Sequence, residues 1–545
     1  MSSRFRATAT VMSMVLLLGV SFGAAAETEV NIDGGPMDAV VAPRAEQPVS
    51  GDVVSALPEP AGAAPQSGPA DLPERTDAPK AAPVPASVVL AGLDQREKLN
   101  ATIELEPFGA ADAAQQHQAA RVEDLWTAGR FAKAIQDVEN LEAAGARFAV
   151  GIAWKEPVPV DGRKVYPDVQ VSSRTGGDTA SLDYHADTGN IFVLVVWDVG
   201  WSMNISTDLG QSFSETYYWA DYTAVADMSV SGDYAWVGYT SDGDAFASSR
   251  FRRFSAETGN HDGVYSFHVV ADETPNTMTE IAVEGNTPDK NNRIYVAYLV
   301  DETNSIKFWW DDIVGTSFSE IPTGITDADS GLDLAWNPFY QASGHARWIS
   351  YLSTGNLVRL YRSFESSWES EASHAYSGML GRTALSAFND HIYCAFECES
   401  DPGKVGVCYL ASDDAGASVW LHDDAYWPTG SEVSGWAPDI SIRSGLGRAA
   451  VFSSETGDLD DVYVVTKPGW DPGPWSDPAW YNTYDHVSGD ETYIEWIGSS
   501  CVSTYGMVYF DQDGPNTPFF DLLTQRGFFC DGFEGGTGAW SASSP

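Results

Sequence analysis

Seven times along this chain a short alternating apolar run opens at nearly constant spacing, and a repeat of that length leaves few folds open. An acidic residue heads the run at Asp168 (PDVQV), Asp227 (ADMSV), Glu280 (TEIAV), Asp333 (LDLAW) and Asp439 (PDISI). The same frame falls on Ala384 (TALSA) and Tyr493 (TYIEW), where the alternation persists without the acid. Successive copies lie 59, 53, 53, 51, 55 and 54 residues apart. Alternation with a period of two marks a half-buried strand. Strand-rich units recurring near every fifty residues are the mark of propeller blades, small sheets that bury their faces against their neighbours. The spacing predicts an all-β, seven-bladed β-propeller over residues 148–526, with a six-bladed ring as the alternative.

Within each unit the second strand is apolar on both faces (NIFVLVVWD, DYAWVGYTS, RIYVAYLVD, HIYCAFECE), as expected of a strand sandwiched between neighbouring sheets. The seventh unit, from Asp490, is one strand short. Phe148 to Trp154 (FAVGIAW) precedes the first unit and is expected to supply the missing edge.

The rest of the chain divides by composition. Residues 1–26 read as an export signal: Arg4 and Arg6, an apolar stretch from Val11 to Val20, then Ala24-Ala25-Ala26. Residues 27–91, rich in Pro, Ala and Gly, read as a disordered linker. Residues 92–147 read as a helical neck, because Leu125, Phe131, Ile135, Val138 and Leu141 recur at helical spacing around a break at Ala128-Gly129-Arg130. That stretch (LWTAGRFAKAIQDVENLEAAG) resembles a single tetratricopeptide-type hairpin, which implies packing on the propeller rather than a binding solenoid. Residues 527–545 form a tail whose CDGFEGG run at Cys530, with Trp540-Ser541, resembles a DGFESG…WS ending of exported bacterial proteins. No apolar run after the signal approaches a transmembrane span. The expectation is a secreted protein, extracellular or periplasmic, with surface association implied by the tail.

The net charge is −47, from 77 acidic against 30 basic residues. Nucleic acid is excluded as a partner, since phosphate binding needs clustered Lys and Arg. Either the acids serve solubility, or a subset of them binds a divalent cation; calcium is the one cofactor the pattern admits. Five cysteines allow at most two internal disulfides. Cys398 and Cys408 flank the turn Asp401-Pro402-Gly403, so a tight hairpin sets them roughly opposite. Cys394, Cys501 and Cys530 stay unassigned.

A second repeat runs in step with the first. Ser206-Thr207-Asp208-Leu209-Gly210-Gln211-Ser212-Phe213 fits S-x-D-x-G-x-x-[WF], and Ser412, Asp414, Gly416 and Trp420 repeat it with one extra residue. The aromatic ends at Phe213, Tyr265, Phe318, Trp368, Trp420 and Trp475 lie 52, 53, 50, 52 and 55 residues apart. This element resembles the Asp-box (BNR) hairpin of sialidases and related propellers. The resemblance implies a structural turn between outer strands, away from the active face, and it specifies fold more than activity. The F/Y-R-I-P segment of sialidases is absent; Arg174, Arg382 and Arg443 are the nearest basic residues, and no catalytic residue is carried over.

In a propeller the innermost strands surround the axis. Asp168, Asp227, Glu280, Asp333 and Asp439 are then expected around one mouth of the channel, interrupted at Ala384 and Tyr493. Such carboxylates raise one another's pKa, recruit a cation, or bond backbone N–H groups of the next blade. Two of them at the right separation would suit glycoside hydrolysis. The reading is a binding or adhesion module for a glycan or protein surface, calcium-assisted. The alternatives are an exo-acting, sialidase-like glycoside hydrolase and a structural cell-surface protein.

Overall fold

The computed structural model describes residues 84–522, less a set of connecting segments that includes 108–112, 160–168, 263–277, 413–419 and 481–491. Asp168, Asp414, Gly416, Cys501, Cys530, the export signal and the C-terminal tail lie outside the described residues.

Helical structure starts inside the stretch read as linker. α1 (Ala86–Gly92) buries Leu90, and a reciprocal capping box between Asp94 and Glu97 opens α2 (Gln95–Asn100). β1 (Ala101–Pro107), α3 (Ala113–Thr127), α4 (Phe131–Ala143) and β2 (Phe148–Pro159) follow. The apolar face of the two longer helices, with Trp126, Ala134 and Val138, packs on Ile103, Leu105, Val150 and Ile152 of the strands. Helix α3 also covers the free edge of β1: Trp126 Nε1 donates to the Ala101 carbonyl at 3.1 Å, and Leu105 N–H donates to Glu123 at 2.7 Å. The neck is therefore a mixed helix and strand annex.

Beyond it the chain is all strand. β3 (Val169–Gln170) is followed by β4 (Gly177–His185), β5 (Asn190–Trp197), β6 (Gly200–Ser206) and β7 (Ser214–Ala220), then β8 (Ala226–Ser231), β9 (Tyr234–Ser241) and β10 (Ser248–Ser255). Next come β11 (Met278–Gly285), β12 (Arg293–Val300), β13 (Ser305–Asp312) and β14 (Ser319–Glu320), then β15 (Ala328–Asn337), β16 (Ala346–Ser353), β17 (Leu357–Ser363) and β18 (Trp368–Ala375). The last strands are β19 (Thr383–Phe388), β20 (His391–Asp401), β21 (Lys404–Ser412), β22 (Leu421–Tyr426), β23 (Ser434–Arg443), β24 (Gly447–Thr456), β25 (Leu459–Lys467), β26 (Ala479–Trp480), β27 (Thr492–Gly498), β28 (Ser503–Asp511) and β29 (Thr517–Leu522).

Among the described residues these strands form a β-propeller of six hydrogen-bonded sheets, where the sequence spacing predicts seven. The difference arises in the largest sheet, of eight strands, where β21 and β23 share one parallel pair, Val405 with Ser434. Strands β20, β21 and β23 run to 11, 9 and 10 residues, and their overhanging ends meet. The innermost strands β4, β8, β11, β15, β19, β23 and β27 each contact the next, and β27 contacts β4.

Closure differs from expectation. β2, which holds FAVGIAW, pairs with β7 and β1 and so extends the first sheet outward to six strands. The strand that completes the last sheet is β3, with Val169 against Phe520 and Gln170 against Phe519. Val169 and Gln170 of PDVQV thus form an outer strand of the last sheet, and the inner strand of the first is β4.

The core sits between sheets. All eight positions of β5 and of β16 are buried. Trp201 is fully buried, stacked on Tyr217 and tilted against Tyr239 of the next sheet at 5.4 Å.

Candidate functional site

An innermost strand has one edge in a ladder and the other facing the axis, where its N–H groups lack strand partners. Here side chains from the preceding inner strand accept those bonds. Asp227 Oδ2 accepts Val283 N–H at 2.6 Å, Asp333 Oδ2 accepts Leu385 N–H at 2.5 Å, and Asp439 Oδ2 accepts Ile494 N–H at 2.8 Å. Two residues further along the strands the pattern repeats with other donors. Asp183 accepts Val230 N–H at 2.5 Å, Glu284 accepts Trp336 N–H at 3.3 Å, and the hydroxyls of Ser229 and Ser386 accept Gly285 and Ile442 N–H.

The lining is therefore built in two levels. Asp227, Asp333 and Asp439 occupy the first, on alternate strands β8, β15 and β23. Asp183, Glu284 and Glu495 hold the second, on β4, β11 and β27, together with Ser386 on β19. Staggering keeps carboxylates on neighbouring strands apart, which limits like-charge repulsion. Seven strands cannot alternate around a closed ring, so Glu495 and Asp183 occupy the same level on the adjoining strands β27 and β4.

Burial raises every one of these acids for which a shift is resolved. It carries Asp333 up to about 8, with the nearby Asp439 charge adding to the effect. Asp183 rises to about 6, chiefly from burial. Glu284 rises well above the ordinary carboxylate range through burial and then the charges of Asp183 and Glu495. Against this trend, the Arg382 guanidinium draws Asp227, Asp333 and Asp439 downward. Arg382 sits immediately before β19. Its Nη2 lies 3.8 Å from Asp439 Oδ2, its Nη1 donates to the Thr492 carbonyl at 3.4 Å, and its Cζ stands 4.2 Å from the centre of the Tyr493 ring.

Of the residues singled out by sequence, Asp227, Asp333, Asp439 and Tyr493 share one level. Glu280 does not. Ala282, two residues further along β11, holds the equivalent place, and the Glu280 carboxylate accepts Gly331 and Leu332 N–H at 3.0 and 2.6 Å. Asp168 lies outside the described residues, and the strand after it belongs to the outer rim. Sequence reasoning missed Asp183, Glu284 and Glu495. The first repeat interval, 59 residues and the longest of the six, is the one signal that the frame slips there.

Away from the channel, the turn between β6 and β7 is held by its own side chains. Ser206 Oγ donates to Asp208 Oδ1 and accepts Gly210 N–H, both at 2.8 Å, and Asp208 accepts Ser212 N–H at 2.9 Å. Gly210 has φ +80°, and a Cβ there would lie 2.2 Å from the Phe520 ring. Phe213 is buried edge-on to the same ring, tying the turn to β29. In the corresponding later segment Ser412 is buried and Trp420 meets Trp348 at 5.8 Å. A disulfide joins Cys398 of β20 to Cys408 of β21, and Cys394 is a buried thiol.

Among the described residues no group of three His, Cys, Asp or Glu side chains is placed to hold a metal ion, and no helix is long and apolar enough to cross a membrane. No family model and no curated protein matches the sequence. Similar solved structures include the BP39L lectin of Burkholderia pseudomallei, at 12% identity over 63% of this chain and 94% of the lectin, with a TM-score of 0.46. The NanB sialidase of Streptococcus pneumoniae is 10% identical over 70% of this chain and 75% of its own, TM-score 0.38. The fucose-specific lectin of Aleuria aurantia is 8% identical over 65% and 100%, TM-score 0.37. The likeness is one of fold.

Proposed function

We propose that this chain is an exported binding module whose channel-mouth face takes a glycan-type, polyhydroxylated ligand. One observation carries the reading: Arg382, the Tyr493 ring and the Asp439 carboxylate lie side by side where β19 and β27 begin. An aromatic face suits the apolar face of a sugar, a guanidinium donates to hydroxyl oxygens, and a carboxylate accepts hydroxyl hydrogens. In this reading the ring has seven units, the eight-stranded sheet counting as two, because seven inner strands follow one another in closed order. The Ser206–Phe213 turn is read as an Asp-box, which joins the chain to the sialidase-like propellers.

Titration of a glycan panel against the purified protein tests this, with a chelator arm for calcium. Tyr493→Ala should weaken the best ligand about tenfold, since losing one ring–sugar contact costs on the order of 1.4 kcal/mol. Absence of binding to every glycan of the panel would sink the proposal.

A second reading, an exo-acting glycoside hydrolase, draws on Asp333. A carboxyl that keeps its proton to a pH of about 8 beside a second carboxyl, Asp439, has the properties of a general acid. Turnover of aryl glycosides, a sialoside included, that disappears in Asp333→Asn would favour it over the binding module.

A further inference from the structure

We propose that the channel mouth takes an uncharged sugar through two neighbouring hydroxyls and turns away carboxylated and sulfated ones, a step that rests on Arg382, Tyr493 and Asp439 being the binding face.

An anionic sugar is held by guanidinium groups that its own carboxylate or sulfate can neutralise. The three arginines nearest the inner strands do not converge to offer them. Arg174 gives Nε and Nη2 to the two oxygens of Glu215 at 2.8 and 2.9 Å, with its Cζ 3.4 Å from the centre of the Tyr218 ring on β7. Arg443 ends β23, four residues beyond Asp439, so about 13 Å of extended strand separates the two. Of the three, only Arg382 stands at Tyr493, and there Asp439 is already beside it. The segments that run into the seven inner strands are 171–176, 221–225, 256–277, 321–327, 376–382, 427–433 and 481–491. Together they hold ten acidic residues and two basic ones, Arg174 and Arg382. An anion approaching the starts of these strands meets a repelling field, on a chain whose net charge is −47.

For hydroxyls the situation is reversed. Arg382 Nη2 and Asp439 Oδ2 are 3.8 Å apart, longer than a hydrogen bond. Two adjacent hydroxyls span such a gap, one oxygen accepting from the guanidinium while its neighbour donates to the carboxylate. Asp439 has capacity for this. Its Oδ1 accepts Ile440 N–H and its Oδ2 accepts Ile494 N–H, both at 2.8 Å, which uses one of two lone pairs on each oxygen. A ligand carboxylate brings no hydrogen for Asp439 and adds a like charge beside it. The Tyr493 ring, whose centre is 4.2 Å from Arg382 Cζ, suits the apolar face of the same sugar.

The test titrates the full chain with galactose-, glucose- and mannose-terminated oligosaccharides and with the matching uronate of each, which differs only by a carboxylate at the sixth carbon. Binding that is lost in Tyr493→Ala counts as binding at the mouth. In about 50 mM sodium chloride the best neutral sugar should bind at least about tenfold tighter than its uronate. Raising the salt to about 500 mM should narrow that gap by screening, while moving the neutral sugar less than about twofold. Asp439→Asn should narrow it likewise, because the like charge is gone. A uronate bound at the mouth as tightly as its neutral counterpart overturns the proposal and leaves the binding reading intact. So does a gap that salt, or a folded Asp439→Asn, leaves unchanged. Absence of mouth binding by every sugar overturns both. Should Asp439→Asn fail to fold, the salt series on the wild type decides alone.

Discussion

Asp333→Asn is the substitution through which the channel reports on itself. Asp333 takes its proton near 8 in the folded chain, against about 3.9 in an unfolded one. Between those values the native state holds a proton that the unfolded state has lost. Stability therefore falls as pH rises through this window, by up to about 1.4 kcal/mol per pH unit, and levels off above about 8. The groups facing Asp333 agree with that direction: Asp439 opposes its ionisation, whereas Arg382 and the N–H groups of Leu385 and Leu334 only partly offset burial. Asparagine removes the titration while keeping one oxygen for Leu385 N–H. Urea unfolding followed by tryptophan fluorescence at pH 5, 6 and 7 measures the difference between the two proteins, so that other titrating groups cancel. From pH 5 to pH 7 wild type should lose up to about 2.7 kcal/mol more than D333N. Solvent at the channel trims the figure without changing its sign. Parallel pH profiles would refute the reasoning, because they would mean that Asp333 ionises normally.

Three other outcomes can be checked by the same unfolding assay. Trp201→Ala should cost about 3–5 kcal/mol, since it empties a site closed by Tyr217, Tyr239 and Phe254. Asp208→Ala should cost about 1–2 kcal/mol through loss of the bonds from Ser206 and Ser212, with no change in any ligand affinity. Glu104→Ala should cost about 3 kcal/mol, because it strands the fully buried Arg252, whose Nη1 lies 2.6 Å from the Glu104 carboxylate; Glu104→Met combined with Arg252→Met should recover much of that loss.

The period near fifty was legible because every inner and second strand must alternate to pack between sheets. What the period conceals is its phase. Glu280 heads an apolar run like the others, yet it stands two residues before Ala282, which holds the level shared by Asp227, Asp333 and Asp439. Asp183 escaped because its strand (GDTASLDYH) carries polar residues on both sides of the alternation, and because Val169 and Gln170 of the more regular PDVQV nearby fill an outer place. The two-level staggering of acids depends on which strand neighbours which, a long-range relation that local pattern does not encode. Arg382, one residue outside its strand, gains its position only once β23 and β27 arrive beside it. The annex was half legible: its helices follow from apolar spacing, but the pairing of β1 and β2 with the first sheet rests on the register set by β7.

The two-residue strand β3 has a consequence for how the protein comes into being. Its partners, Phe519 and Phe520, are some 350 positions downstream, so the circle cannot shut until nearly the whole polypeptide has been made. Until then the last sheet lacks its outer strand, and assembly waits on an encounter between remote ends, among the slowest contacts a chain can form. Severing the link between β3 and β4 should therefore harm a newly made chain far more than one already folded.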